Sequence, residues 1–239
     1  MELIGLERYQ TIYYDLGRVA YRRAHALQAR LKPMVRDEGS PGRVLFLEHP
    51  PTVTLGWSLK GDEGRSSLRS SEAELARAGI ELVQVDRGGK ATYHGPGQLV
   101  CYLILHLKPL RLGVKRYVGK LESAARFSLR ELGLDAELDP LYPGVWVNGS
   151  KLAAVGIRVE DRVTSHGLAL NLTPDLEGFA RIVPCGIPDR PVTSLSALGR
   201  PDISRDRMIA VLLSRLAEEF KLDLRRGSES IEQLMGETK

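Results

Sequence analysis

Apolar positions recur at two spacings along the chain, and the switches between them mark out its elements. Tyr9 to Tyr14 reads as a strand, after which Leu16, Ala20, Ala24, Leu27 and Leu31 recur at helical spacing until Pro33. The turn-forming Gly39-Ser40-Pro41-Gly42 leads into the buried run Val44 to Leu47, which Glu48-His49-Pro50-Pro51 ends, and Thr52 to Gly56 reads as a second short strand. Residues 58 to 70 are polar and glycine-rich and read as a loop; Ser71-Glu72-Ala73-Glu74 carries a capping-box pattern for a short helix stopping at Gly79. Strand character resumes over Glu81 to Asp86, and the glycine-rich Arg87 to Gln98 reads as a loop before the apolar strand Leu99 to Leu107.

The second half repeats the alternation. Val118, Leu121, Ala125, Leu129 and Leu132 trace a helix beginning at Tyr117 and closed by Gly133. Val145 to Val147, Asn148-Gly149 and Lys151 to Val159 predict a hairpin, because Asn-Gly suits a type I′ turn. A turn at Glu160-Asp161-Arg162 returns the chain as the strand Val163 to Leu172, interrupted at His166-Gly167; a short helix follows over Asp175 to Ile182. Ile209, Leu212, Leu213, Leu216 and Phe220 place a last helix over 204–222, and the polar tail 227–239 reads as frayed. The strands mix with helices and several adjoin through hairpins. That pattern predicts an α/β fold, α+β in type, whose mixed, largely antiparallel sheet is flanked by helices. No linker divides the 239 residues, so residues 1–239 read as a single catalytic domain.

Composition narrows the function classes. No apolar run approaches the ~20 residues of a membrane span, and the N-terminus lacks a basic region followed by an apolar core, so the reading is soluble and cytoplasmic. Two cysteines, Cys101 and Cys185, form no CxxC pair, which argues against a disulfide framework and a structural zinc site; no metal is expected. The net charge of +4 is small and dispersed, and no nucleic-acid motif accompanies it. Arg22, Arg23 and Arg30 on the first helix make a candidate docking face for an acidic partner.

The candidate chemistry centres on Pro184-Cys185-Gly186-Ile187. A cysteine between proline and glycine sits in irregular backbone, where a thiol can be presented to a pocket. A free thiol with a pKa of about 8.5 is mostly protonated at neutral pH, so a nucleophilic Cys185 needs a neighbouring base or cation. Lys151 is the leading candidate, because Gly149 to Gly156 is otherwise a small-residue, apolar stretch. His94 and His166 each precede a glycine and read either as structural or as groups that orient a substrate. Cys101 lies mid-strand and reads as core. The loop Arg87 to Gln98 lacks phosphate-loop spacing, yet its four glycines permit close approach of backbone to a ligand.

Together, Arg87-Gly88-Gly89-Lys90-Ala91-Thr92-Tyr93-His94-Gly95-Pro96-Gly97-Gln98, Gly149 to Ile157, His166 to Asn171 and Pro184 to Ile187 resemble, in order and spacing, the octanoyltransferases of lipoate synthesis. The resemblance runs from about Tyr9 to Leu198. Val53 and Trp57 depart from the pattern where the family would show an aromatic and a basic residue. The resemblance implies a fold similar to the catalytic domain of biotin and lipoate ligases. It implies transfer of an octanoyl group from octanoyl-acyl-carrier-protein to a lysine of lipoyl domains, those of 2-oxoacid dehydrogenase complexes and the glycine cleavage H protein, with no cofactor. Cys185 matches the nucleophile and Lys151 its partner. Substrate contacts would fall on Arg87, Gly88, Gly89, Lys90, Ala91, Thr92, Tyr93 and His94, on Ala154, Val155 and Gly156, and on His166, Gly167, Leu168 and Ala169. Backbone N–H groups at Gly167 and Leu168 are candidate oxyanion donors. An apolar slot burying methylenes at ~0.8 kcal/mol each would hold the acyl chain. The alternative is an ATP-dependent lipoate or biotin-type ligase on the same fold, which activates a carboxylate and needs no thiol.

Overall fold

A computed structural model describes residues 8–37, 39–59, 67–183 and 190–237. Its large sheet follows the order β11-β1-β2-β6-β10-β9-β8-β7. The strands are β1 (Tyr9–Arg18), β2 (Gly42–Glu48), β6 (Gln98–Ile104), β7 (Glu137–Leu138), β8 (Val145–Val147), β9 (Ser150–Glu160), β10 (Val163–Asn171) and β11 (Leu222–Arg226). β1 runs parallel to β11 and β2, and every other pair in this sheet is antiparallel. A smaller sheet, β4-β3-β5, is built from β3 (Thr52–Leu55), β4 (Glu81–Gln84) and β5 (Ala91–His94).

β6 shows how the layers hold together. Side chains alternate across a strand; accordingly Leu99, Cys101 and Leu103 pack with Tyr117, Leu121 and Leu129 of α3 (Val114–Glu131) and Met208, Leu212 and Leu216 of α5 (Arg205–Phe220). Val100, Tyr102 and Ile104 face the other way, onto Ala24, Leu27 and Leu31 of α1 (Tyr21–Arg36). A strand covered on both faces reads as the continuous apolar run seen in its sequence. The mixed, largely antiparallel sheet flanked by helices is therefore as expected, and Cys101 is core. The short helices α2 (Glu72–Arg77) and α4 (Glu177–Ala180) accompany the small sheet, and the capping box at Ser71 and Glu74 is formed. Among the described residues, no helix is long and apolar enough to cross a membrane.

Three expectations fail for identifiable reasons. Pro33 does not stop α1, which continues to Arg36. Proline costs the helix one backbone hydrogen bond, but Leu31 and Val35 are fully buried and Lys32 and Arg36 pair with Glu160 and Asp161. The glycine-rich stretch 87–98 is not all loop: Ala91 to His94 pair with β3 as β5. The described part of the tail, 227–237, does not fray. Leu222 to Arg226 add β11 beside β1, and α6 (Ile231–Met235), with a capping box at Ser230 and Gln233, docks on α1. Arg23 pairs there with Glu232 and Glu237, Arg30 Nε donates to the Leu234 carbonyl at 3.0 Å, and Arg22 pairs with Glu81. The basic face proposed for an acidic partner is thus largely engaged within the chain.

Candidate active site

A cavity of about 340 Å³ opens between the α1 side of the large sheet and the small sheet. Its lining joins Thr92 and His94 of β5, Val100 and Tyr102 of β6, Lys151 and Ala154 to Gly156 of β9, and His166 to Ala169 of β10. Tyr21, Ser58, the Arg87 to Lys90 segment and Leu141 to Pro143 complete it.

Lys151 reaches this cavity through a β-bulge. Between β8 and β9, Val145 lies opposite Ala153 but Trp146 opposite Lys151, so β9 carries one extra residue, Leu152. A bulge reverses the alternation of side chains. Leu152 and Ala153 both enter the α3 core, and Lys151 comes to share the cavity side with Ala154 and Gly156. Lys151 is only 5 % exposed; its Nζ donates to the Pro143 carbonyl at 3.0 Å and lies 4.9 Å from the centre of the Trp146 ring. Glu122 is its nearby acidic influence. Burial raises the Glu122 carboxyl above its ordinary range, and the Gly144 N–H donates to it at 2.7 Å. Downstream of residues 184–189, Lys151 N–H donates to the Pro191 carbonyl and Thr193 N–H to the Lys151 carbonyl, both at 2.9 Å, while Arg190 stacks over Trp146.

At the other end of the β9–β10 segment stands a cluster of six rings: Tyr21, His25, His49, His94, Tyr102 and His166. His49 Nδ1 donates to the Val19 carbonyl and its Nε2 accepts from the Tyr102 hydroxyl, each at 2.7 Å. Burial holds the imidazole of His49 down to about 4, lowers His94 and His166, and pushes the phenol of Tyr21 up to about 12. His49, His94, His166 and Tyr21 are therefore neutral at pH 7. Asp86 Oδ1 accepts from Nε2 of His166 at 2.8 Å and of His25 at 3.0 Å, and its Oδ2 pairs with Arg158 at 3.2 Å. These hydrogen bonds hold the Asp86 carboxyl far below its usual range. His25, Asp86 and His166 place three donor atoms within 4.8 Å of one another, close enough for a metal ion. Arg158 and the two imidazole N–H groups already balance the carboxylate charge.

His166 has φ +59, and its N–H donates to Gln28 at 2.6 Å. This left-handed residue breaks the alternation, so its ring joins the α1 side although Leu168 faces the α3 core. A Cβ on the following Gly167 would lie 2.1 Å from the Cys101 carbonyl oxygen, so only glycine fits there. Gly167 and Leu168 sit inside the ladder between β6 and β9, where pairing uses their N–H groups, which weighs against them as oxyanion donors.

Most of the sequence-derived residues meet at this cavity: Arg87, Gly88, Gly89, Lys90, Thr92, His94, Lys151, Ala154 to Gly156 and His166 to Ala169. Ala91 and Tyr93 do not. They alternate to the opposite face of β5 and pack with Val53, Leu75 and Phe179. Arg87 lines the cavity but spends its guanidinium on the Thr54 carbonyl and hydroxyl, at 2.9 and 2.7 Å. Cys185 lies outside the described residues. Tyr21, Val100, Tyr102 and Leu141 to Pro143 were not picked out by sequence; the only signal for Tyr102 was its place one step from Cys101 in a buried strand.

The fold is that of a lipoyl ligase-type catalytic domain, and the family model for the lipoyl protein ligase A/B catalytic domain matches residues 20–217. An archaeal bipartite lipoate protein ligase from Thermoplasma acidophilum superposes with a TM-score of 0.76 at 19 % identity, covering 96 % of this chain and 91 % of that one. Within that class the sequence is 40 % identical to an octanoyltransferase of Synechococcus sp. strain JA-3-3Ab, across 95 % of this chain and 92 % of the relative. It is 44 % identical to an octanoyltransferase of Chloroflexus aurantiacus, across 90 % of this chain and 96 % of the relative. The chain belongs to the octanoyltransferase family and is an acyltransferase.

Proposed function

We propose that the enzyme moves an octanoyl group from octanoyl-acyl-carrier-protein to a lysine of a lipoyl domain, by way of a thioester on Cys185. The observation that carries this reading is Lys151: a buried lysine turned by a bulge into the cavity, its backbone bonded to Pro191 and Thr193 a few residues downstream of Cys185 in sequence. In the first step the Cys185 thiolate attacks the carrier thioester carbonyl. The bond to the carrier sulfur breaks, and that sulfur takes a proton from Lys151. In the second step the acceptor amine attacks the acyl-cysteine, its proton passes to the now neutral Lys151, and the Cys185 thiolate departs. One thioester becomes one amide, and no external oxidant or nucleotide is consumed. Lipoyl domains of 2-oxoacid dehydrogenase complexes and the glycine cleavage H protein are the proposed acceptors, and the cytoplasm the proposed compartment.

The test is the intact mass of the protein after incubation with octanoyl-acyl-carrier-protein without ATP, followed by peptide mapping. One octanoyl group on the Cys185 peptide, discharged by a lipoyl domain, is the expected result. Modification of the lipoyl domain only when ATP and free octanoate are supplied would instead assign the ligase chemistry.

A further inference from the structure

The Lys151 ammonium and the Glu122 carboxylate meet one peptide unit from opposite ends. Lys151 Nζ donates to the Pro143 carbonyl at 3.0 Å, and the Gly144 N–H of the same peptide donates to Glu122 Oε1 at 2.7 Å. In a planar trans peptide the C=O and N–H point in opposite directions. This unit therefore stands between cation and anion with its dipole favourably turned to both. The acyl-transfer steps call on Lys151 and leave Glu122 without a role.

We propose that Glu122 is a positioning residue of the reaction, fixing the Lys151 ammonium through the Pro143–Gly144 peptide. The inference rests on the acyl-transfer reading above, in which Lys151 gives up a proton and takes one back. The bridging peptide has little room to move. Gly144 has φ +129, and a Cβ there would lie 2.5 Å from the Ala153 carbonyl oxygen and 3.4 Å from Lys151 Cε, so only glycine brings the peptide this close to the lysine. Upstream, Asp139 Oδ1 accepts from the Leu141 and Tyr142 N–H groups at 2.8 and 3.1 Å, and Trp146 Nε1 donates to the Tyr142 carbonyl at 3.1 Å. Glu122 adds an anchor from α3. Its negative charge polarises the peptide and makes the Pro143 oxygen a stronger acceptor. An ammonium carries three donors, so fixing one on that oxygen aims the other two. The coupling is mutual: burial raises the Glu122 carboxyl, while the Gly144 N–H and the charge of Lys151 draw it down. The other neighbours supply no anion. Thr92, Gln98 and Asn171 approach Lys151 from β5, β6 and β10 without charge, and Arg190, over the Trp146 ring, is a second cation that pairs with Asp139. Among the described residues, Glu122 is thus the anion tied to Lys151.

The experiment follows acyl loading from octanoyl-acyl-carrier-protein, and discharge to a lipoyl domain, as functions of pH in the full chain and in Glu122→Gln and Glu122→Ala. Gln keeps an acceptor for the Gly144 N–H and removes the charge; Ala removes both. Without the anion the ammonium releases its proton more readily, so the pH of half-maximal discharge should fall by about 0.5 or more in both variants. Loading should slow by about three- to tenfold in kcat for Gln and further for Ala, with KM for the carrier within about twofold of the wild type. Thermal unfolding checks each variant, and the isosteric Gln decides if Ala fails to fold. A folded Glu122→Gln protein whose pH profile matches the wild type's overturns the positioning role, whatever its stability. Absence of any acyl adduct in the wild type, at every pH, would instead overturn the acyl-transfer reading beneath it.

Discussion

His166 Nε2 donates to Asp86 Oδ1 at 2.8 Å and thereby joins two walls of the cavity that are 80 residues apart in the chain. Asp86 immediately precedes the Arg87 to Lys90 segment, and His166 precedes the Gly167 to Ala169 segment. The Gly88 N–H, which donates to the Ile157 carbonyl at 2.8 Å, makes a second tie between the same walls.

Replacing Asp86 by Asn should therefore loosen the cavity without unfolding the protein. Asn can satisfy one of the two imidazoles but not both together with Arg158. The side chain of Asp86 is partly exposed, so solvent screening limits the loss to about 1–2 kcal/mol in denaturant unfolding. The Michaelis constant for the acyl donor should rise more than kcat falls. A KM equal to the wild type's would show that the two walls hold their places without this bond.

Much of this arrangement was visible in the sequence, and what was not shares a physical cause. The apolar run of β6, the Asn148-Gly149 hairpin, with φ +50 and +75, and the capping box at Ser71 are local signals and read correctly. The bulge at Leu152 is set by β8 opposite it, so its effect on Lys151 cannot be read from β9 alone. Likewise His25, His49, His94 and His166 look like unrelated histidines until β2, β5, β10 and α1 converge. Pro33 and the polar tail misled for a third reason: tertiary packing of Val35 and of α6 on α1 outweighed a local preference.

Backbone sterics give a sharper test of the cavity wall. Gly167→Ala places a Cβ 2.1 Å from the Cys101 carbonyl oxygen in the centre of the sheet and should cost about 3 kcal/mol or more. Gly149→Ala, at φ +75 with open space around it, should cost only about 1–2 kcal/mol of left-handed strain. Equal losses in chemical denaturation would mean that the sheet relaxes around residue 167.

Acid should destabilise the protein through its histidines rather than through Asp86. The folded-state imidazole of His49 is lowered from 6.5 to about 4. The unfolded chain therefore takes up a proton that the folded one refuses, and stability is lost as pH falls between these values. For His49 alone the loss reaches about 3 kcal/mol near pH 4, and the lowered values of His94 and His166 act in the same direction. The depressed carboxyl of Asp86 acts in the same sense but in a lower window: its stabilisation is full above the unfolded carboxylate range and is lost only as pH falls below that range. His49→Gln should flatten the dependence of unfolding free energy on pH between 6.5 and 4. A slope as steep as that of the wild type would remove His49 from this account.

Substitution of Lys151 separates charge from proton transfer. Lys151→Ala removes both and should slow acyl loading and acyl discharge by about 10²–10⁴-fold each. Lys151→Arg keeps a cation, which can stack on Trp146 as the native Nζ does at 4.9 Å, but a guanidinium does not release its proton in the working range. Loading should then survive in part, because the cation still favours the thiolate, while discharge to the acceptor amine fails for want of a base. The octanoylated protein should accumulate in a single-turnover mass measurement and decay only slowly when the lipoyl domain is added. If Lys151→Arg instead turns over at the wild-type rate, a fixed positive charge is sufficient, and the proton must leave the acceptor amine by another route, with solvent the first candidate.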